Sequence, residues 1–179
     1  GVLGYDEVNM SQSIVNHTTG SRDAAAATTV TTTIAAQGAT TISLTQASVT
    51  TTLKAGDVFT IASVYSVNPQ TRQSTGSLQQ FVVTADATAV SGVWTASISP
   101  AIYTATNALA TVDSFPVASA VVTFLGAASS SYPQNLIYQK NAITFATADL
   151  LLPQGVDMAS RQVHNGISMR IVRQYDINN

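Results

Sequence analysis

The sequence predicts a mainly β chain with minor α content, its middle an antiparallel β domain of sandwich or barrel type. Three observations carry this. Residues 41–46 and 93–99 alternate apolar and polar side chains with the period of two that marks a half-buried strand. Short runs rich in Val, Ile, Thr, Phe and Tyr recur along the chain, separated by Gly, Pro and Asn turn signals. Charged residues make up only 9 % of the chain and hydrophobic ones 45 %. A surface this neutral either faces a partner or stays wet through Ser and Thr hydroxyls.

In chain order, residues 2–8 and 13–15 are short strand candidates. His17-Thr18-Thr19-Gly20 reads as a turn. Residues 24–27 could begin a helix, but 28–33 follow with β-branched side chains that favour strand. Gln37-Gly38 turns the chain. In 41–46, Ile42 and Leu44 share one face, Ser43 and Thr45 the other. Lys54-Ala55-Gly56-Asp57 is a turn signal, and 58–67 then reads as a strand. Asn68-Pro69 stops it, because proline has no N–H for a ladder. A polar connection, 70–77, leads into a second strand, 78–84, completing a long hairpin. After a polar break at 86–92, Trp94, Ala96 and Ile98 oppose Val93, Thr95 and Ser97, and Pro100 ends that strand. Residues 101–111 fit helix or loop. Phe115-Pro116 is a boundary, and 117–125 is another strand candidate, closed by Gly126.

The texture changes at Tyr132-Pro133. Residues 18–131 carry seven charged side chains, whereas 1–17 with 132–179 carry nine in a little over half that length. This separates a neutral β middle from two more polar flanks. In the second flank, 136–140 is of open type and 142–146 alternates as a strand. Residues 150–152 are stopped by Pro153, and 157–161 is too short to assign. Asn165-Gly166 is a strong two-residue hairpin signal. The long strand 166–176 follows it. Ile167, Met169, Ile171, Arg173 and Tyr175 face one way; Ser168, Arg170, Val172, Gln174 and Asp176 face the other.

The residues offer little chemistry. A formal net charge of -2 argues against nucleic-acid binding, which needs a cationic surface to displace phosphate counterions. There is no cysteine, hence no disulfide frame, zinc-thiolate site or thiol nucleophile. No uninterrupted apolar run reaches the roughly 18 residues of a membrane span. His17 and His164 are the only imidazole bases, and neither lies in a nucleophile-elbow context. Asp6 and Glu7 are adjacent, so on a strand they point to opposite faces and do not chelate together. Asp57, Asp86, Asp113, Asp149 and Asp157 could meet in space as a glycosidase pair, but nothing in their spacing favours it. Asp57 is explained by local hydrogen bonding in its Gly-Asp turn. Arg161, Arg170 and Arg173 form the one cationic cluster. It serves either salt bridges within the fold or pairing between subunits. Trp94 and Tyr65 are read as core residues before interface anchors. No catalytic, cofactor-binding or metal-binding residue is assigned, and the chain is expected not to be an enzyme.

Three stretches resemble a known family. They are Gly56-Asp57-Val58-Phe59-Thr60-Ile61-Ala62, Val64-Tyr65-Ser66-Val67-Asn68-Pro69 and Leu78-Gln79-Gln80-Phe81-Val82-Val83-Thr84. Gly4-Tyr5-Asp6 with His17-Thr18-Thr19-Gly20 precedes them. Gln134-Asn135-Leu136 and then Ala142-Ile143-Thr144-Phe145-Ala146-Thr147-Ala148-Asp149-Leu150 follow. The most specific piece is Gly166-Ile167-Ser168-Met169-Arg170-Ile171-Val172-Arg173-Gln174-Tyr175-Asp176-Ile177-Asn178. Together they resemble the major coat (capsid) protein of short-tailed bacteriophages of the Salmonella podophage type. That family has the tailed-phage capsid fold with an extra β-rich domain inserted into it.

The resemblance implies an antiparallel, barrel-like inserted domain over residues 18–131. It also implies a partial α/β capsid-core subdomain formed by the two chain ends, 1–17 and 132–179. It implies a structural subunit of an icosahedral capsid, self-assembling into the shell that holds packaged DNA, with no cofactor. The implied partners are other copies of the coat protein and, during assembly, scaffolding protein. Neither sequence-specific nucleic-acid binding nor a membrane is implied. The implied location is the virion, after assembly in the bacterial host cytoplasm. Arg72, Arg170 and Arg173 are the candidate contacts between subunits. The chain begins at Gly1 and stops in a strand-like pattern, so it is expected to be a central fragment of the coat protein. The alternative is a β-rich phage tail, receptor-binding or adhesin module, which neutral Thr/Ala/Ser-rich strands suit equally.

Overall fold

The computed structural model describes residues 7–47, 50–139, 141–148 and 150–175. Among these residues every regular element is a strand, and no helix occurs. The chain divides into two compact units, Gly1–Asn135 and Leu136–Asn179.

The first unit is organised by a closed barrel. Its strands are β2 (Thr28–Val30), β3 (Ala39–Thr45), β5 (Val58–Val67), β6 (Ser74–Val83), β8 (Val93–Ile102) and β9 (Val121–Phe124). Around the barrel the order is β2-β3-β8-β6-β5-β9, and each of the six pairings is antiparallel. Closure leaves no continuous open edge, the standard solution for a sheet that would otherwise pair with other chains. The alternation read from the sequence is the inward-outward alternation of the barrel wall. Ile42 and Leu44 on β3 point inward, as do Trp94, Ala96 and Ile98 on β8. With Phe59, Ile61, Phe81, Val83 and Val122 they form one core. Phe59 is the aromatic hub, 5.7 Å from Phe81 and 5.4 Å from Phe124 between ring centroids.

Two strands depart from simple alternation. On β5, Phe59 and Ile61 are buried, and then the phase slips so that Val64 and Val67 are inward. The slip coincides with Ser63 at φ 64° and with a register shift between Thr60 and Tyr65, the signature of a bulge. Pro100 does not end β8. The strand continues to Ile102 because Pro100 falls inside a register irregularity against β3, between the pairs Thr41↔Ser97 and Ala39↔Ile102. A residue without an N–H is tolerated where no ladder bond is due. The long hairpin also begins its return earlier than expected, at Ser74 rather than 78. The true connection is a tight turn in which Arg72 N–H donates to the Asn68 carbonyl at 2.7 Å.

Two small strand pairs complete the unit. β4 (Thr52–Leu53), just ahead of the turn at 54–57, pairs with β7 (Ala87–Thr88) inside the stretch read as a polar break. Leu53 from this pair is fully buried, and the Trp94 indole N–H donates to the Thr51 carbonyl beside it at 3.0 Å. β1 (Asn16–Thr18) pairs with β10 (Ser131–Pro133), so His17-Thr18 is strand rather than turn. The helix allowed at 24–27 is absent. Four residues are too few to nucleate one, and the Gln46 side-chain amide instead donates to the Asp23 and Ala26 carbonyls. The minor α content expected of the chain is therefore not found among the described residues. Residues 101–111 likewise continue β8 and then turn.

The second unit is built on one hairpin, β11 (Met158–His164) with β12 (Ile167–Arg173). Its turn is Asn165-Gly166, both with positive φ (48° and 78°), as a two-residue turn of this kind requires. The segment left unassigned at 157–161 is the start of β11. The strand expected at 142–146 is not formed. Ile143 and Phe145 alternate, but that stretch has no ladder partner among the described residues, and both side chains are exposed. Thr147 instead straps the hairpin, donating to the Gly166 carbonyl at 3.1 Å and accepting from Ser168 N–H at 3.0 Å. Most of the expected strand at 2–8, together with Gly4-Tyr5-Asp6, Lys140, Asp149 and Asp176, lies outside the described residues.

Candidate functional site

The polar centre of the first unit is the neck, where chain enters and leaves the barrel. Its register is Asn16↔Pro133, His17↔Tyr132 and Thr18↔Ser131. Thr19 extends the seam. Its N–H donates to the Ser130 carbonyl at 3.0 Å, while its hydroxyl donates to the Ala127 carbonyl at 2.6 Å and accepts from Ser130 N–H. Ser129 N–H closes onto the Gly20 carbonyl.

One carboxylate fastens this seam to the barrel. Asp57, 1 % exposed, sits where the 54–57 turn delivers the chain into β5. Its Oδ1 lies 3.0 Å from His17 Nε2 on β1. Its Oδ2 accepts from Gly20 N–H (3.1 Å), Arg22 Nη1 (3.2 Å) and Lys54 N–H (2.9 Å). The local bond expected of a Gly-Asp turn is thus present, but three further partners come from 35 to 40 residues away. Arg22 carries the network on. It donates to the Gly126 carbonyl at 3.2 Å, and its guanidinium lies 4.2 Å over the Phe124 ring. Burial pushes Arg22 below its ordinary pKa; the charge of Asp57 and then Tyr132 oppose that shift.

Local sequence makes room for this packing. A Cβ on Gly20 would sit 2.0 Å from the Thr52 carbonyl oxygen. Gly56 has φ +100°, and a Cβ there would press on the His17 ring at 3.1 Å. The Tyr132 hydroxyl accepts from Ala127 N–H at 2.8 Å and braces the outgoing strand.

The arrangement holds chain segments together. His17 and Asp57 form a pair, but Asp57 is already satisfied by structural donors. Among the described residues no group of three or more His, Asp or Glu side chains is placed to hold a metal. Asp86 and Asp113 are committed elsewhere. Asp86 pairs with Lys54 at 2.6 Å, and Asp113 accepts from Tyr65 N–H at 2.8 Å. Trp94 is core, and Tyr65 is half-buried on β5.

The three candidate arginines are divided between the two units. Arg72 lies at the tip of the β5–β6 hairpin in the left-handed region (φ 56°), its side chain exposed. In the second unit, Arg170 donates to the Leu151 carbonyl at 2.7 Å. Arg173 grips Asp157 Oδ2 through Nε and Nη2 at 3.1 and 2.9 Å and lies 5.0 Å over Tyr175. Arg161 of the same cluster donates to the Leu150 carbonyl. Sequence reasoning did not group the neck residues His17, Arg22 and Asp57. The one available signal was charge scarcity, since each ion in so neutral a stretch needs a reason.

Comparison with known proteins places the chain. The family model described as "P22 coat protein - gene protein 5" matches residues 14–179. The molecule is a viral coat subunit, a structural component of a bacteriophage capsid that assembles with other copies of the coat protein. The chain belongs to the P22 coat protein family. Among solved structures it is similar to the "CUS-3 coat protein I-domain", with 32 % identity over 55 % of this chain and 95 % of that one, at a TM-score of 0.40. No curated protein matches. The family match takes the place of the tail-module and adhesin alternatives.

Proposed function

We propose that residues 18–131 are a β domain inserted into the core of the coat subunit, and that residues 1–17 and 132–179 belong to that core. The observation that supports this reading is the pairing of Thr18 with Ser131. A domain can be inserted without disturbing its host when its two ends lie side by side. Antiparallel partners are about 5 Å apart. The subunit does no chemistry. Its copies close into an icosahedral shell around packaged DNA, guided by scaffolding protein in the host cytoplasm. They recognise neither a DNA sequence nor a membrane. Arg72, Arg170 and Arg173 contact neighbouring subunits.

The exposed apolar side chains of the second unit fit such a role. Ile167, Met169, Ile171 and Val172 are all open on β12, and a lone two-stranded hairpin is marginal in water. More protein is needed to cover them. Sedimentation of full-length coat protein made with scaffolding protein tests the shell reading. Fast-sedimenting particles are expected, and subunits alone under every condition would refute it. Limited proteolysis of this chain tests the domain reading. A resistant core close to 18–131 is expected, and cleavage spread evenly across 40–125 would count against it.

A further inference from the structure

We infer that the neck is a locked joint: Asp57 fixes the β1–β10 pair to the barrel wall, so that pair and barrel move as one rigid body. A two-strand neck of three residues a side would ordinarily be a hinge, because few contacts hold it and hinge residues cluster at element ends. Here the opposite is built. One buried carboxylate gathers partners from β1, from the incoming segment at Gly20 and Arg22, and from the turn before β5. Arg22 then reaches the outgoing chain at Gly126, so both passes through the neck hang on one ion. Thr19 adds three hydroxyl contacts to that outgoing chain, to the Ala127 and Ser130 carbonyls and from Ser130 N–H.

The chemistry also points to positioning. A buried ion pair seldom stabilises more than an apolar group of the same shape, because desolvation offsets its attraction. What an ion with four directional partners adds is a single geometry. The glycines agree, since a Cβ at Gly20 would clash with the Thr52 carbonyl, and Gly56 holds a φ of +100° against the His17 ring. A flexible tether needs no such fit. In the shell the lock would carry the barrel with the strands that emerge from it. That consequence rests on the insertion reading, whereas the lock itself is measurable in this chain alone.

The test is backbone ¹⁵N relaxation on the 179-residue chain, comparing His17, Thr18 and Tyr132 with barrel residues Phe81 and Trp94. Order parameters of about 0.85 are expected at both places, the value for rigid backbone. His17→Ala empties one side of Asp57 while leaving the Arg22 pair in place. It should drop the neck values toward about 0.6 and leave the barrel unchanged. Thr19→Val should act in the same direction, and carries the test if His17→Ala does not fold. Neck values already near 0.6 in the unaltered chain would overturn the lock. So would neck values that neither substitution moves. Neither result would bear on whether the full-length protein forms shells.

Discussion

Arg22 Nη1 and Asp57 Oδ2 lie 3.2 Å apart with both side chains shut off from water, at 5 % and 0 % exposure. They are the one ion pair of the described barrel that is buried on both sides. Removing one partner strands the other without solvent, a cost of about 3–5 kcal/mol in comparable sites. Asp57→Ala should therefore lower the denaturation midpoint by about that free energy with an unchanged slope. It also leaves Gly20 and Lys54 N–H without an acceptor. Arg22→Met should cost less, because the aliphatic stem can still cover Phe124. Equal losses from the two substitutions would show that Asp57 is not the organiser of the network.

The exposed pair at the other end of the same turn gives a pH prediction. Lys54 Nζ and Ala55 N–H both bond Asp86, which holds its carboxyl below the ordinary carboxylate range. Because the folded value is the depressed one, the stabilisation is present above the unfolded carboxylate pKa of about 3.9. It is lost as pH falls through the lower folded value. Lys54→Met should raise the Asp86 titration midpoint in a side-chain NMR titration, and added salt should narrow the difference. A midpoint that ignores Lys54→Met would mean the Ala55 bond alone sets it.

Gly166 sits at φ 78° with no atom within 4 Å of the place a Cβ would take, so space is no obstacle there and backbone conformation is. Left-handed backbone costs a residue with a Cβ roughly 1–2 kcal/mol, and a β-branched one more. Asn tolerates that region better. Gly166→Val should loosen the β11–β12 hairpin, and Gly166→Asn should do so much less. Hydrogen exchange at Ser168 and Met169 would read this. Equal protection in both variants would mark the turn as unconstrained.

How much of this was legible follows from where the information lies. The barrel wall was readable at β3 and β8 because alternation is a local property, and each inward residue is two positions from the next. The bulge at Ser63 was not, since a phase slip looks like noise until a partner strand fixes the register. β4 and β7 were invisible for a similar reason, because two residues carry no period. The neck failed differently. His17 and Asp57 are 40 residues apart, and their meeting is decided by barrel closure, which no window on the sequence contains. The strand expected at 142–146 had the right pattern and found no ladder partner among the described residues. Pattern states what a segment could do, and a ladder needs a second strand.

Arg173 separates two uses of the same ion. Within this chain it grips Asp157 and lies over Tyr175, at 56 % exposure against 38 % for its partner. An exposed pair of this kind contributes about 1 kcal/mol or less, since solvent screens it. Arg173→Ala should therefore leave the subunit's thermal unfolding almost unmoved. If the arginine also meets a neighbouring subunit, the same substitution should lower the rate and yield of shells made with scaffolding protein, read by sedimentation. Asp157→Asn is the control, because it breaks the internal pair and keeps the cation. A purely internal role makes the two variants assemble alike. A contact with a neighbour makes Arg173→Ala defective, while Asp157→Asn, its guanidinium released, assembles at least as well as the unaltered protein. Shells forming at the ordinary rate and yield with Arg173→Ala would remove this arginine from the interface.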